Sequence, residues 1–559
     1  MAISFTEEQQ KVIDTRDCNI LVSAAAGSGK TAVLVERIIQ MVCDETHPVD
    51  IDRLLIVTFT NAAAAEMRER IGAGISAKLE ERPDSEHIQR QATLLHNAQI
   101  TTIDSFCLFL LRNHFHEVGL DPAFRIADQG EVKLMEQEVL GELLEDAFQE
   151  GGEAFRYCVE YFCPGGRERV LEGYILSLAG YAASFPWPDQ WLEQCRENYA
   201  GETVEELEES AWGQYLTGYL KRMTAGCVEK LRRVQALCQM PDGPYMYGEL
   251  VDQELEQLEG LSACEAWEDF ERKLCALSFG RLSSKKDDSV SPGKRELGKK
   301  MRGEVKDTIQ GLADQFFGTT LPLALRQHKA CREPVDTLLD LVLEFRRRMQ
   351  EKKREKKVID FSDMEHLALD ILLVREEEKV QPSLVAREYR QYFAEILIDE
   401  YQDSNLVQEY LLSAISGEED GQFNRFMVGD VKQSIYKFRL ARPELFLEKY
   451  HTYQPEGNCC RIDLSRNFRS RRQVVDAVND VFSRLMSRTV GGIDYDGGAA
   501  LRAGASYPEQ EGCESELLLV EKPGSGEELD QKQAEALAVT GRIKELLAGF
   551  QVMDKGSGA

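Results

Sequence analysis

The run Leu21-Val22-Ser23-Ala24-Ala25-Ala26-Gly27-Ser28-Gly29-Lys30-Thr31 joins an apolar stretch to a small-residue loop and then to a helical pattern through Met41. That order is what a phosphate-binding loop needs, because backbone N–H groups and a helix N-terminus together make an anion cradle. In it Ser23, Ala24, Ala25, Ala26, Gly27, Ser28 and Gly29 would line the phosphates of a nucleotide such as ATP. Lys30 would reach the β- and γ-phosphates and Thr31 would hold Mg²⁺. The usual pattern G-x-x-x-x-G-K-[ST] has glycine where this chain has Ala24, so an ordinary glycine-rich turn is the competing reading. A second constellation, Ile396-Leu397-Ile398-Asp399-Glu400-Tyr401-Gln402-Asp403, ends an apolar run on paired acids. Asp399 would hold Mg²⁺, directly or through water, and Glu400 would orient and deprotonate an attacking water. Paired acids after a strand are common. Combined with Gly29-Lys30-Thr31, they point to the binding and splitting of a nucleoside triphosphate.

The elements that must position these groups are legible in outline. Apolar runs at Ile20–Val22, Leu54–Phe59 and Gln99–Ile103 read as strands, and helical patterns follow the first two, as a parallel sheet with crossover helices requires. From about residue 121 to 364 the pattern becomes long and mostly helical, with apolar spacing near 3.6 over Glu131–Phe148, Val204–Val234 and Leu338–Lys357. Strands resume at Glu395–Ile398, Arg425–Val428 and Cys460–Leu464. A last strand-like run at Glu516–Glu521 precedes a helix from about Asp530 to Ala548.

At 559 residues the chain suggests about three or four domains. No run of 18 apolar residues is present and Met1–Lys11 lacks the apolar core of a signal peptide, so no membrane association is expected. The 14 Cys residues include no C-x-x-C pair, which argues against zinc and against a disulfide framework; reduced thiols in a cytoplasm are the simplest reading. A net charge of −30 is unfavourable for a nucleic-acid partner, yet charge acts locally. Arg346–Lys357 carries eight Lys/Arg against two Glu, and Lys285–Lys306 is also basic. Each run reads either as a solvated helix face or as a DNA-facing strip.

With these motifs in order, the chain resembles superfamily 1 DNA helicases of the UvrD/RecB type. Phe5-Thr6-Glu7-Glu8-Gln9 resembles the Q motif, which implies that Gln9 reads the adenine edge. The family's Walker A commonly has alanine at its first position, as Ala24 does. Val57–Met67 resembles motif Ia, and Thr101-Thr102-Ile103-Asp104-Ser105-Phe106 resembles motif Ib, with Asp104 where many relatives have His. Asp399–Asp403 resembles motif II, Val428–Arg439 motif III, and Leu464–Ser470 motif IV. The resemblance implies an α/β fold: a P-loop NTPase with a RecA-like parallel sheet domain from 1–120 and 365–455, a helical insertion over 121–364, and the start of a second RecA-like domain over 456–559.

The extra motifs carry readable chemistry. Gln402 and Gln433 are neutral amides suited to phosphate and attacking water, and Arg469 would neutralise charge developing on the γ-phosphate. Phe468 would stack on adenine. Tyr436 and Phe438, two apart, would share one face of a strand and stack on bases, core packing being the bland alternative. Phe59, Thr60 and Asn61 from motif Ia, Thr102 and Ser105 from motif Ib, and Arg439 from motif III are the further DNA contacts implied.

The narrower resemblance, carried by Val428–Phe446, Asp360–His366 and Asp463–Arg469, is to the AddA family of helicase–nuclease subunits. That family implies ATP- and Mg²⁺-driven 3′→5′ translocation on single-stranded DNA and duplex ends. It also implies an AddB-like partner in a heterodimer, and a role in double-strand break repair by homologous recombination. Motifs V and VI and the family's nuclease motifs are not found after Arg469, so the sequence reads as an N-terminal portion, a truncated gene or a fragment. A stand-alone UvrD/PcrA-like translocase, or a catalytically incomplete ATP- and DNA-binding module, are the alternatives.

Overall fold

The computed structural model describes residues 5–551 except 167–168, 377–378, 509–511, 523 and 525–528; the side chain of Arg439 also lies outside the described set. The chain forms two compact units, Met1–Phe124 with Ile359–Ala559, and Arg125–Val358.

The first unit is built on a parallel sheet. Its strands are β1 (Asn19–Ala24), β2 (Leu54–Thr58), β3 (Gln99–Thr102), β4 (Glu395–Ile398), β5 (Arg425–Gly429) and β6 (Cys459–Leu464), in the order β6-β1-β5-β4-β2-β3. Helices cover both faces, so alternate residues of one strand enter different cores. Ile20, Val22, Leu54, Ile56, Leu397, Phe426 and Val428 enter one core, packed with helix α2 (Lys30–Cys43) and helix α3 (Asn61–Glu81). Leu21, Leu55, Val57, Ile396, Ile398 and Met427 enter the other, packed with helix α4 (Ile103–His114) and the helix Phe361–Leu372. This two-sided burial explains the continuous apolar runs.

The strand order places the C-terminal ends of β1, β5 and β4 side by side, where open α/β sheets bind ligands.

The second unit is helical. Gln129–Glu150, Glu153–Phe162, Arg169–Ala182 and Pro188–Glu197 share a core with the long helix Leu321–Lys356. Ala211–Gln239, Gly248–Ser262, Trp267–Ala276 and Pro292–Phe316 share another. Pro334 lies inside the long helix and removes the hydrogen bond that the Ala330 carbonyl would accept, a cost of about 3 kcal/mol if nothing replaces it. The Tyr157 hydroxyl donates to that carbonyl at 3.0 Å instead.

Several sequence expectations change. The pattern over Val204–Val234 is two helices, Val204–Glu209 and Ala211–Gln239, because the Ser210 hydroxyl accepts from Gly213 N–H and starts a new one. The helix expected to begin at Leu338 begins at Leu321. Strand β6, grouped by the sequence with residues 456–559, is an edge strand of the first sheet, paired from Asn19↔Cys459 to Ala24↔Leu464. The run Glu516–Glu521 forms no strand; Leu517 and Leu519 are 82% and 86% exposed, and no described strand bonds to it. The expected terminal helix is Gln531–Gly549, capped by Asp530.

Candidate functional site

The loop after β1 is held from three directions. Ala25 N–H donates to the Leu464 carbonyl at 2.9 Å and Phe468 N–H to Gly27 O at 2.8 Å. Asn467 Nδ2 donates to Ala26 O at 2.8 Å, and its Oδ1 accepts from the N–H groups of Arg469 and Ser470. From the third side, helix α1 (Glu7–Asp14) presents Gln9, whose Nε2 donates to Ser28 O at 2.9 Å. Gly27 and Gly29 adopt φ of 72° and 84°, open to glycine at little steric cost. A Cβ on Gly27 would also lie 2.9 Å from Asn467 Nδ2. Ala24, by contrast, is the last residue of β1 and is fully buried in the core, so no glycine is needed there. Gly29 caps α2 without a side-chain bond, and the first turn of α2 holds no acid, which suits an anion at that N-terminus.

Across from the loop stands β4. Glu400 adopts φ 51°, ψ 44°, a left-handed conformation that costs a non-glycine residue about 1–2 kcal/mol. Its carboxylate pairs with Lys30 Nζ at 2.8 and 3.1 Å. Asp399 accepts from Glu400 N–H, and burial followed by the neighbouring Glu400 charge pushes its carboxyl up to about 6. Asp399 and Thr31 supply hard oxygen donors, and the Thr31 hydroxyl has no hydrogen-bond partner among the described residues. No group of three or more His, Cys, Asp or Glu set to hold a metal occurs among the described residues. The donor set fits Mg²⁺, which keeps several waters and is often held by one or two protein oxygens plus phosphate.

Gln402 and Gln433 are both engaged by protein. Gln402 Nε2 donates to Glu400 and Asp403, its Oε1 accepts from Asp430 N–H, and Gln433 Nε2 donates to Asp430 Oδ2 at 2.8 Å. Arg469 is exposed beside the loop, and Phe468 lines a groove with Gln9, Ser28 and Arg466.

The aromatic group assembles by a route the sequence did not show. Residues 436–438 are not a strand: Tyr436 precedes the short 3₁₀ turn Lys437–Arg439. Even so, the Tyr436 ring lies 5.7 Å from Phe438 and 4.7 Å from Phe59, and Phe438 is 76% exposed. Thr60 and Thr102 cap α3 and α4, accepting from Ala63 and Ser105 N–H, while Thr102 and Ser105 share a hydroxyl bond of 2.9 Å. Asn61 is exposed at the start of α3.

Asn467, Asp430 and Asp403 are the functional-site residues the sequence reading did not single out. Only their place beside recognised motifs could have flagged them. The basic run 346–357 is largely paired within its own unit: Arg346 with Asp189, Arg347 with Glu344 and Glu351, Arg348 with Asp146 and Lys352 with Glu138. In the second run, Lys294 pairs with Asp242 and Arg302 with buried Glu254. Helix-to-helix charge pairing accounts for much of both.

No helix among the described residues is long and apolar enough to cross a membrane. Comparison with curated proteins finds relatives that carry the name of the AddA subunit of an ATP-dependent helicase/nuclease. One from Lachnoclostridium phytofermentans is 44% identical over 98% of this chain and 42% of the relative. One from Clostridium perfringens is 42% identical over 100% and 47%, and one from Bacillus licheniformis 41% over 99% and 46%. The chain thus spans about half the length of the curated relatives it matches. The model of the UvrD/REP helicase N-terminal domain matches residues 5–454, so this chain, with its loop, paired acids and aromatic group in that domain's order, belongs to the UvrD/REP helicase family.

Proposed function

We propose that the chain is the motor portion of an AddA-type helicase–nuclease, driven by ATP and Mg²⁺ and moving 3′→5′ on DNA. The reading places it in the cytoplasm with an AddB-like partner, processing duplex ends for recombination. The observation that carries it is the junction of Lys30 with Glu400, joined through Gln402 and Asp430 to the segment that bears Tyr436.

Gly27, Gly29 and the N-terminus of α2 would cradle the phosphates, and Lys30 would leave Glu400 for them. Thr31 and Asp399 would hold Mg²⁺, which supplies charge neutralisation on the phosphates. Freed of Lys30, Glu400 would accept the proton of the attacking water. Arg469 would meet the charge that develops as the γ-phosphate departs. Gln433 and Asp430 would register the event, and the Phe59–Tyr436–Phe438 rings would stack on bases of the gripped strand.

The test is DNA-stimulated ATP hydrolysis by the full-length gene product. Lys30→Ala and Glu400→Gln should each lower turnover by roughly 10²–10⁴-fold. Normal stimulated hydrolysis by either variant would refute the site.

A further inference from the structure

Gln402 is held more tightly than any role as a free phosphate ligand requires. It is 1% exposed. Its Nε2 donates to Glu400 Oε2 at 2.9 Å and to Asp403 Oδ2 at 3.1 Å, and its Oε1 accepts from Asp430 N–H at 2.9 Å. A carboxamide is planar, and its two N–H bonds diverge in that plane. Fixing one on Asp403 therefore fixes the direction of the other toward Glu400. The space for the amide comes from Gly429, where a Cβ would lie 2.3 Å from Gln402 Oε1. Gly429 has no left-handed φ, so the need there is room and not conformation.

Asp403 is itself only 9% exposed, and its Oδ1 has no hydrogen-bond partner. It lines a polar cavity of about 250 Å³ together with Asp399, Glu400, Asp104 and Glu365. The loop beyond Asp403 is fixed in turn, since Glu365 accepts from Asn405 Nδ2 at 3.1 Å and from Gln408 Nε2 at 2.7 Å.

Resting on the reading of Glu400 as the base, we propose that Asp403 is a positioning residue for hydrolysis: it pins one amide hydrogen of Gln402 so that the other aims the Glu400 carboxylate. Lys30 holds Glu400 only until phosphate draws it away. Gln402 is the tether that persists, and on the strained backbone of Glu400 that tether decides where the carboxylate points. Asp403 acts through the amide and does not touch the reacting atoms.

The experiment is steady-state hydrolysis by the full-length gene product with single-stranded DNA, alongside binding of a fluorescent ATP analogue and thermal melting. Asp403→Ala should lower kcat roughly 10²-fold, the effect of a misplaced catalytic group, with KM and analogue affinity within about threefold. Asp403→Asn keeps a carbonyl that accepts from Gln402 and should recover kcat to within about threefold of the parent. Gly429→Ala leaves Asp403 intact but displaces the same amide, and should reproduce the Asp403→Ala kcat. Normal kcat in Asp403→Ala overturns the inference. So does an Asp403→Asn as impaired as the alanine, which would mean the charge matters and not the hydrogen bond. If Asp403→Ala melts below assay temperature, the asparagine and Gly429→Ala decide alone, and parental kcat in the latter overturns it. Lys30→Ala and Glu400→Gln run in parallel: their activity would remove the underlying reading, whereas their inactivity beside a normal Asp403→Ala removes only this inference.

Discussion

Glu400 shows how much of a site resides in one backbone angle. The motif identifies an acid after a strand, but its left-handed φ of 51° is set by the packing around it and leaves no trace in residue type. Asn467 is similar. Its amide bridges Ala26 O and the N–H groups of Arg469 and Ser470, so one buried side chain ties the phosphate loop to the segment bearing Phe468. Asn467→Ala should leave those groups unpaired at a cost of about 1–3 kcal/mol, read as a lower melting temperature, with weaker binding of a fluorescent ATP analogue. Unchanged analogue affinity would show that the bridge is structural only. The residues that identify the chemistry, Lys30, Thr31, Asp399 and Glu400, were legible because phosphate and metal binding demand specific groups at fixed offsets. Asn467, Asp430 and Asp403 were not, since amides and acids in loops have many uses and only the fold shows which one applies.

Between residue and domain, the helix Leu406–Ala414 anchors the motif from behind. Glu409 accepts from the Tyr401 hydroxyl at 2.8 Å, from Arg425 at 2.8 Å and from Lys449 at 2.9 Å. Burial alone would raise the Glu409 carboxyl, but Arg425 and Lys449 outweigh it and bring it down from 4.5 to about 2. A carboxyl lowered on folding stabilises fully above its unfolded value and loses that stability as pH falls from about 4.5 toward 2. Glu409→Gln should therefore destabilise the first unit by about 3–5 kcal/mol at neutral pH, because it strands buried Arg425, and should flatten the acid limb of its urea midpoint. An acid limb as steep as the parent's would assign that limb to other carboxyls. At this scale the sequence located the buried strands, where two-sided packing selects apolar runs. It missed the break at Ser210, where one hydroxyl cap outweighs continuous helical spacing, and over-read Glu516–Glu521, whose apolar pattern has no described strand to bond. Tyr436 and Phe438 meet as expected although the strand argument for it was wrong; a 3₁₀ turn brings the rings together.

For the whole molecule, strand order was the least legible property, because parallel neighbours are set by crossovers and not by local pattern. Its main surprise is that β1 is flanked on one side by β5 and on the other by β6. The timing of synthesis follows from this. The phosphate loop leaves the ribosome early, yet both strands that flank it are encoded hundreds of residues later. At about 5–20 residues per second that delay is roughly 20–90 s. Meanwhile β2 and β3 can pair, and Arg125–Val358, contiguous in sequence, can pack its own cores. Ribosome-bound chains arrested before Arg425 should leave β1 open to protease and fail to retain an ATP analogue, whereas chains extending beyond Ser470 should protect it. Protection in the shorter chains would show that β1 finds another partner first. The nucleotide loop, first to be made, is thus among the last parts of its sheet to close, and during that interval its apolar strand is a natural client for a chaperone.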